Sequence, residues 1–172
     1  MIVQTEADNG NPDAQFALAL HYTTTDHYQL AAEWYLKAAE QNHAQAQLNL
    51  GIMHAQGQGI PRDISKAVAW FRKAADQGEA GAHFHLGTEC HRALLDATPE
   101  SATELKIEAY KWFQLAAAQQ YHGSEAASEQ IALTMTNEDL VEGKKRATVF
   151  LCPVTQTGKS DYPATVEETT NH

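Results

Sequence analysis

The three tryptophans of this chain, Trp34, Trp70 and Trp112, fall in one recurring context. AAEWYLKAAEQ over residues 31–41 matches KAVAWFRKAADQ over 66–77 and EAYKWFQLAAAQ over 108–119. Upstream of each lies a second recurring string: AQFALAL from Ala14, AQLNLGI from Ala46 and AHFHLGT from Ala82. The alignment superposes Leu18, Leu50 and Leu86, then Ala19, Gly51 and Gly87. The tryptophans are 36 and then 42 residues apart, a spacing at which self-similarity means stacked supersecondary units rather than one closed core.

Each unit reads as helix, turn, helix. Ala46, Leu50, Gly51 and His54 share one face of a 3.6-residue period, and Ala67, Trp70, Phe71, Ala74 and Ala75 share one face of the next segment. Small residues suit a close approach of two helices, with an aromatic ring filling the wider gap beside them. GQGIPRD separates the two segments. Gly57 and Gly59 tolerate positive φ, Pro61 stops the first helix, and Asp63 is placed to cap the second.

Residues 46–78 resemble the Sel1-like repeat, a relative of the tetratricopeptide repeat, with His54 in place of the usual Tyr and Ile60 in place of the usual Val. The resemblance covers about residues 7–151. It implies an all-α, right-handed α-solenoid that binds other proteins, with no shared chemistry. The expected organisation is a lead-in at 1–10, repeats at about 11–41, 43–77 and 79–120, a helical cap at 122–151, and a flexible or extended tail at 152–172. Residues 6–10 align with the neighbourhood of Glu40 and Gln41, so the lead-in resembles the end of one more repeat.

Two connectors depart from the pattern. The first repeat loses both turn glycines, and Asp26 with Gln29 suggests a capping box for its second helix. The third gains about six residues in HRALLDATPESATELKIEA, read as a lengthened first helix and a turn near Asp96 to Pro99. Insertions of this kind collect on one edge of a solenoid. In the cap, Thr136 with Asp139 marks the start of a last helix running to about Leu151.

The net charge of −10 excludes phosphate-backbone binding as the main role and leaves a solubilising surface or a basic partner. MIVQTEADNG has neither a basic n-region nor an apolar h-region, and no stretch reaches the ~18 apolar residues of a membrane span, so a cytoplasmic protein is expected. Cys90 and Cys152 do not recur at repeat spacing, unlike the stapling cysteines the resemblance implies for secreted relatives. Cys90 is expected to be a buried free thiol and His54 a hydrogen-bonded core histidine.

TGKS at 157–160 lacks the first glycine of a phosphate loop, because residue 153 is Pro. The histidines show no i, i+4 pair among His83, His85 and His91, and no carboxylate pair or nucleophile elbow stands out. No metal, cofactor or catalytic residue is therefore expected.

The expected function is a non-catalytic interaction or adaptor module for a protein or peptide partner. Tetratricopeptide geometry places the first helices on a concave groove. Its expected lining is Gln45, Asn49, Ile52 and Gln56 from the second repeat and His85, Thr88 and Arg92 from the third, with Asn49/His85 and Gln56/Arg92 as neighbouring polar rungs. Trp34, Trp70, Trp112, Leu18, Leu50, Leu86, Gly51 and Gly87 are the expected structural core. Two other readings fit the same groove and ends: a hydrolase or small-ligand binder, and a scaffold that self-associates as a monomer in weak equilibrium with oligomers.

Overall fold

The computed structural model describes residues 2–151; Met1, Cys152, the 157–160 run and the expected tail lie outside the described residues. α1 (Ile2–Asp8) leads into α2 (Pro12–Thr24) and α3 (Tyr28–Glu40), then α4 (Ala44–Gln56) and α5 (Ile64–Asp76), then α6 (Ala80–Ala93) and α7 (Pro99–Ala118). α8 (Ser124–Ala132) and α9 (Asn137–Leu151) follow. The pairs α2/α3, α4/α5 and α6/α7 are the packed hairpins, each also touching the next element in line, and α8 and α9 both close on α7. The result is an all-α solenoid, with no strand among the described residues.

The hairpins close over the small residues the sequence repeats. A Cβ on Gly51 would lie 2.6 Å from the Phe71 ring, and one on Gly87 would lie 2.7 Å from Phe113. The aromatic that fills each hairpin is the residue after the tryptophan. Tyr35, Phe71 and Phe113 are buried, as are Leu18, Leu50 and Leu86. Trp34 and Trp112 are buried at the margin of the core, while Trp70 keeps part of its ring exposed. A lysine ammonium covers each ring, Lys37 at 3.7 Å, Lys73 at 4.1 Å and Lys111 at 3.9 Å from the centroid. The tryptophan column thus seals the outer edge of the core, and the column one residue on fills it.

Helix ends repeat as faithfully as helix faces. After α3, α5 and α7, residues Asn42, Gly78 and Gln120 take positive φ, and the next residue's N–H reaches back to Ala38, Ala74 and Ala116 respectively. Gly10 closes α1 in the same way, with Asn11 N–H on Glu6 O. This is the Schellman ending, which satisfies carbonyls the last turn leaves open. At the starts, Asn11, His43, Asp63 and Thr98 accept from backbone N–H groups of the first turns of α2, α4, α5 and α7. Thr136 and Asp139 form the expected reciprocal cap at 3.2 Å in each direction.

Three expectations change. The Asp26/Gln29 capping box does not form: His27 is the cap residue without a side-chain bond, and Asp26 at positive φ instead accepts from the Tyr28 hydroxyl at 2.5 Å. The third-repeat insertion lengthens the second helix. α7 has 20 residues against 13 in α5, whereas α6 has 14 against 13 in α4. Thr98 and Pro99 start α7 two turns early, and a 3-10 turn, Leu94–Asp96, with extended Ala97 and Thr98 after it, separates it from α6 near the expected Asp96 to Pro99. His54 is half-buried with its Nδ1 unpartnered.

Candidate interaction surface

One buried polar motif recurs through the array. Gln15, Gln47 and His83, the second residues of the three repeated strings, each reach a carbonyl at the end of the preceding helix: Ala7 at 3.1 Å, Ala39 at 3.1 Å and Ala75 at 3.2 Å. Each also meets a glutamine from the end of its own hairpin, Gln41 at 2.7 Å, Gln77 at 2.8 Å and Gln119 at 3.4 Å. An amide donates through its NH2 and accepts through its oxygen, so it satisfies both neighbours. In the third repeat an imidazole does this work. A carbonyl only accepts, so His83 carries its proton on Nε2 and leaves Nδ1 to accept from Gln119. His83 also stacks on Trp112 and meets the edge of Phe150, and burial lowers its pKa.

With these amides engaged, others stand free. Gln45 and Gln56 are exposed and Asn49 half-buried on one stripe of α4, and none of the three side chains has a hydrogen bond among the described residues. Ile52 lies in the same stripe and packs partly against the core shared by α5, α6 and α7. The equivalent stripe of α6 differs. His85 is half-buried and stacked on Phe71, with ring centroids 4.9 Å apart, and burial lowers its pKa too. Thr88 is exposed and donates to its own helix at Phe84 O, 3.0 Å away. Arg92 pairs with Glu89. Gly81, aligned with Gln45, is buried against Leu48 and Tyr121. The stripe is therefore open on α4 and partly converted to packing on α6.

A second concavity lies on the other side of α6. Residues of α5 (Val68, Arg72), α6 (Leu86, Glu89, Cys90), the 3-10 turn (Leu95, Asp96) and α7 (Leu105, Glu108, Trp112) enclose a cavity of about 720 Å³. Sequence reasoning singled out the insertion and missed the cavity, because its walls come from two repeats. An equivalent cavity of about 590 Å³ lies one repeat earlier, where Leu50, His54 and Trp70 replace Leu86, Cys90 and Trp112. Cys90 is a free, half-buried thiol whose pKa burial raises to about 11, so it stays protonated and unreactive near neutral pH.

Beside the cavity, Arg146 of α9 gathers the carboxylates of Glu104, Glu108 and Glu142. Burial alone would raise the Glu108 pKa, but hydrogen bonds from Lys111 and Arg146 hold it below the ordinary value. Among the described residues no group of three His, Cys, Asp or Glu side chains is placed to hold a metal, and no helix is long and apolar enough to cross a membrane.

The Sel1 repeat family profile matches residues 12–43, 44–79 and 80–121. No curated protein matches the chain. Among solved structures, the chain is similar to c5321, a protective antigen of uropathogenic Escherichia coli displaying an SLR fold: TM-score 0.77, 22% identity, covering 96% of this chain and 37% of that one. The chain thus spans little more than a third of that antigen's length, and at this identity the likeness shows the fold alone. A Sel1 repeat protein from Oxalobacter formigenes is similar with TM-score 0.63 and 28% identity, over 76% of this chain and 96% of that one. The hairpins, their shared endings and three consecutive matches from residue 12 to residue 121 converge on one statement: the chain belongs to the Sel1 repeat family.

Proposed function

We propose that this chain is a non-catalytic interaction module that holds a segment of a partner protein on the open stripe of α4. Sel1 repeat proteins are in general protein-interaction modules and typically non-catalytic scaffolds. The observation that carries the reading is the division among the amides. Gln15, Gln41, Gln47 and Gln77 are hydrogen-bonded inside the array, while Gln45, Asn49 and Gln56, spread along α4, have no side-chain hydrogen bond among the described residues. Free amides beside a half-buried Ile52 suit the backbone and one apolar side chain of a bound peptide. Thr88 and Arg92 extend the polar surface toward the third repeat; His85 contributes through its stack on Phe71.

The test is capture from native-host lysate with wild type beside the Gln45/Asn49/Gln56 triple alanine variant. A partner retained by wild type and lost by the variant, at unchanged thermal unfolding, supports the placement. Equal retention by both rejects it. Turnover of a substrate at this surface would replace the reading with an enzymatic one.

A further inference from the structure

We infer that the cavity between α5, α6, the 3-10 turn and α7 is a second docking site, one that takes paired apolar side chains of a partner segment flanked by lysine or arginine. Leu86, Cys90 and Ala93 line it from the face of α6 roughly opposite Thr88, and no α4 residue lines it; Arg92 stands at the margin between it and the polar surface that continues from α4.

The floor is generic to the array and the rim is not. Leu86 and Trp112 recur as Leu50 and Trp70 in the earlier cavity, so the repeat itself supplies an apolar bed at each junction. Only the third repeat adds a wall built from the insertion: Leu95, Asp96, Glu104 and Leu105. Leu95 is 84% exposed at that wall, an apolar side chain the fold leaves uncovered. A volume of about 720 Å³ exceeds what one side chain fills and lies within the range of ligand clefts.

Charge selects the occupant. The lining holds the carboxylates of Glu89, Asp96, Glu104 and Glu108 against the guanidinium groups of Arg72 and Arg92. Glu89 is matched by Arg92, and Glu104 and Glu108 share Arg146 with Glu142. Asp96 has no ion pair among the described residues and sits on the same short turn as Leu95. An apolar anchor entering beside Leu95 brings its flanking residue to Asp96, where a cation is favoured and an anion repelled. Arg72, also without an ion pair among the described residues, is a donor for the carbonyls of the entering segment. The net charge of −10 draws a basic segment toward the array in the same sense.

Fluorescence anisotropy tests this with a fluorescein-labelled peptide of paired leucines and lysines. Its controls carry glutamate for lysine or serine for leucine. The lysine–leucine peptide is expected to bind, with the glutamate version at least about tenfold weaker and the serine version silent. Leu95→Asp should abolish binding with thermal unfolding unchanged, since the side chain is exposed. Asp96→Lys should weaken the lysine peptide about tenfold and strengthen the glutamate peptide.

No binding by the lysine–leucine peptide, or wild-type affinity in Leu95→Asp, overturns the inference. Loss of binding in the Gln45/Asn49/Gln56 variant with Leu95→Asp unaffected also overturns it, and leaves the α4 stripe standing. Light scattering that shows a dimer dissolved by Leu95→Asp makes a second copy of the chain the occupant and overturns it as well.

Discussion

Replacing an amide with an imidazole at position 83 keeps the geometry of the relay and adds a titration the other repeats lack. Burial lowers the His83 pKa, with Lys111 acting in the same sense and the Ala75 bond and Asp76 opposing it. The folded state therefore prefers the neutral ring. Its contribution is complete above the unfolded value of about 6.5 and is lost as pH falls below that toward the folded value. His85, desolvated on Phe71, acts in the same direction. Stability measured by urea titration should decline from about pH 7 to 5, and His83→Gln should make that decline shallower by restoring the amide found at Gln15 and Gln47. His83→Leu leaves Ala75 O and Gln119 without their partner and should cost about 1–3 kcal/mol at pH 7. A pH profile of His83→Gln identical to wild type would mean the ring is not the group that titrates.

At the scale of the helix, two substitutions separate filling from sealing. Phe71→Ala empties a fully buried site against Gly51 and should cost about 3–5 kcal/mol by thermal or urea unfolding. Trp70→Ala, at a partly exposed ring, should cost less. Sequence periodicity named the tryptophans as core, and Trp34 and Trp112 are buried there while Trp70 stays partly exposed; one residue is 100° of helix, and packing against Gly51 and Gly87 shows that the next aromatic fills each hairpin. The ends of the helices offer a milder test. Gln120 holds the positive φ that Gly78 holds in the preceding repeat, with φ values of 57° and 84°. Gln120→Gly is expected to stabilise by about 1 kcal/mol and Gly78→Ala to destabilise by a similar amount, read from urea midpoints.

Across the whole molecule, self-similarity made the repeats legible, because each is stated more than once in the chain, while the last cap was legible from the local spacing of Thr136 and Asp139. Most of what the sequence left hidden is non-local. The cavity walls and the Arg146 cluster join elements far apart in the chain, and no single window contains them; the lengthening of α7 lies inside the third repeat, where the extra residues could be given to either helix. The Arg146 cluster should add a second, more acidic loss of stability. Glu108 and Glu142 have lowered pKa values in the folded state, so their stabilisation is present above the ordinary carboxylate range and is lost as pH falls through it, below the window in which His83 acts. Arg146→Ala should loosen α9 from α7 and make unfolding less sensitive to salt, which hydrogen exchange on α9 and melts at two ionic strengths would show.

The first two hairpins each carry a plug at the front and a socket at the back. Gln47 fits the carbonyl that Ala39 presents, and Ala75 presents the same fitting to His83. A duplicate of residues 44–79 spliced in after position 79 would meet a matching carbonyl ahead and offer one behind, with the Schellman turns setting the entry angle of both joints. Length is thus a free variable of this architecture: lineages can add or delete whole units in a single genetic step without redesigning a joint, and selection is left to work on the surfaces those units carry.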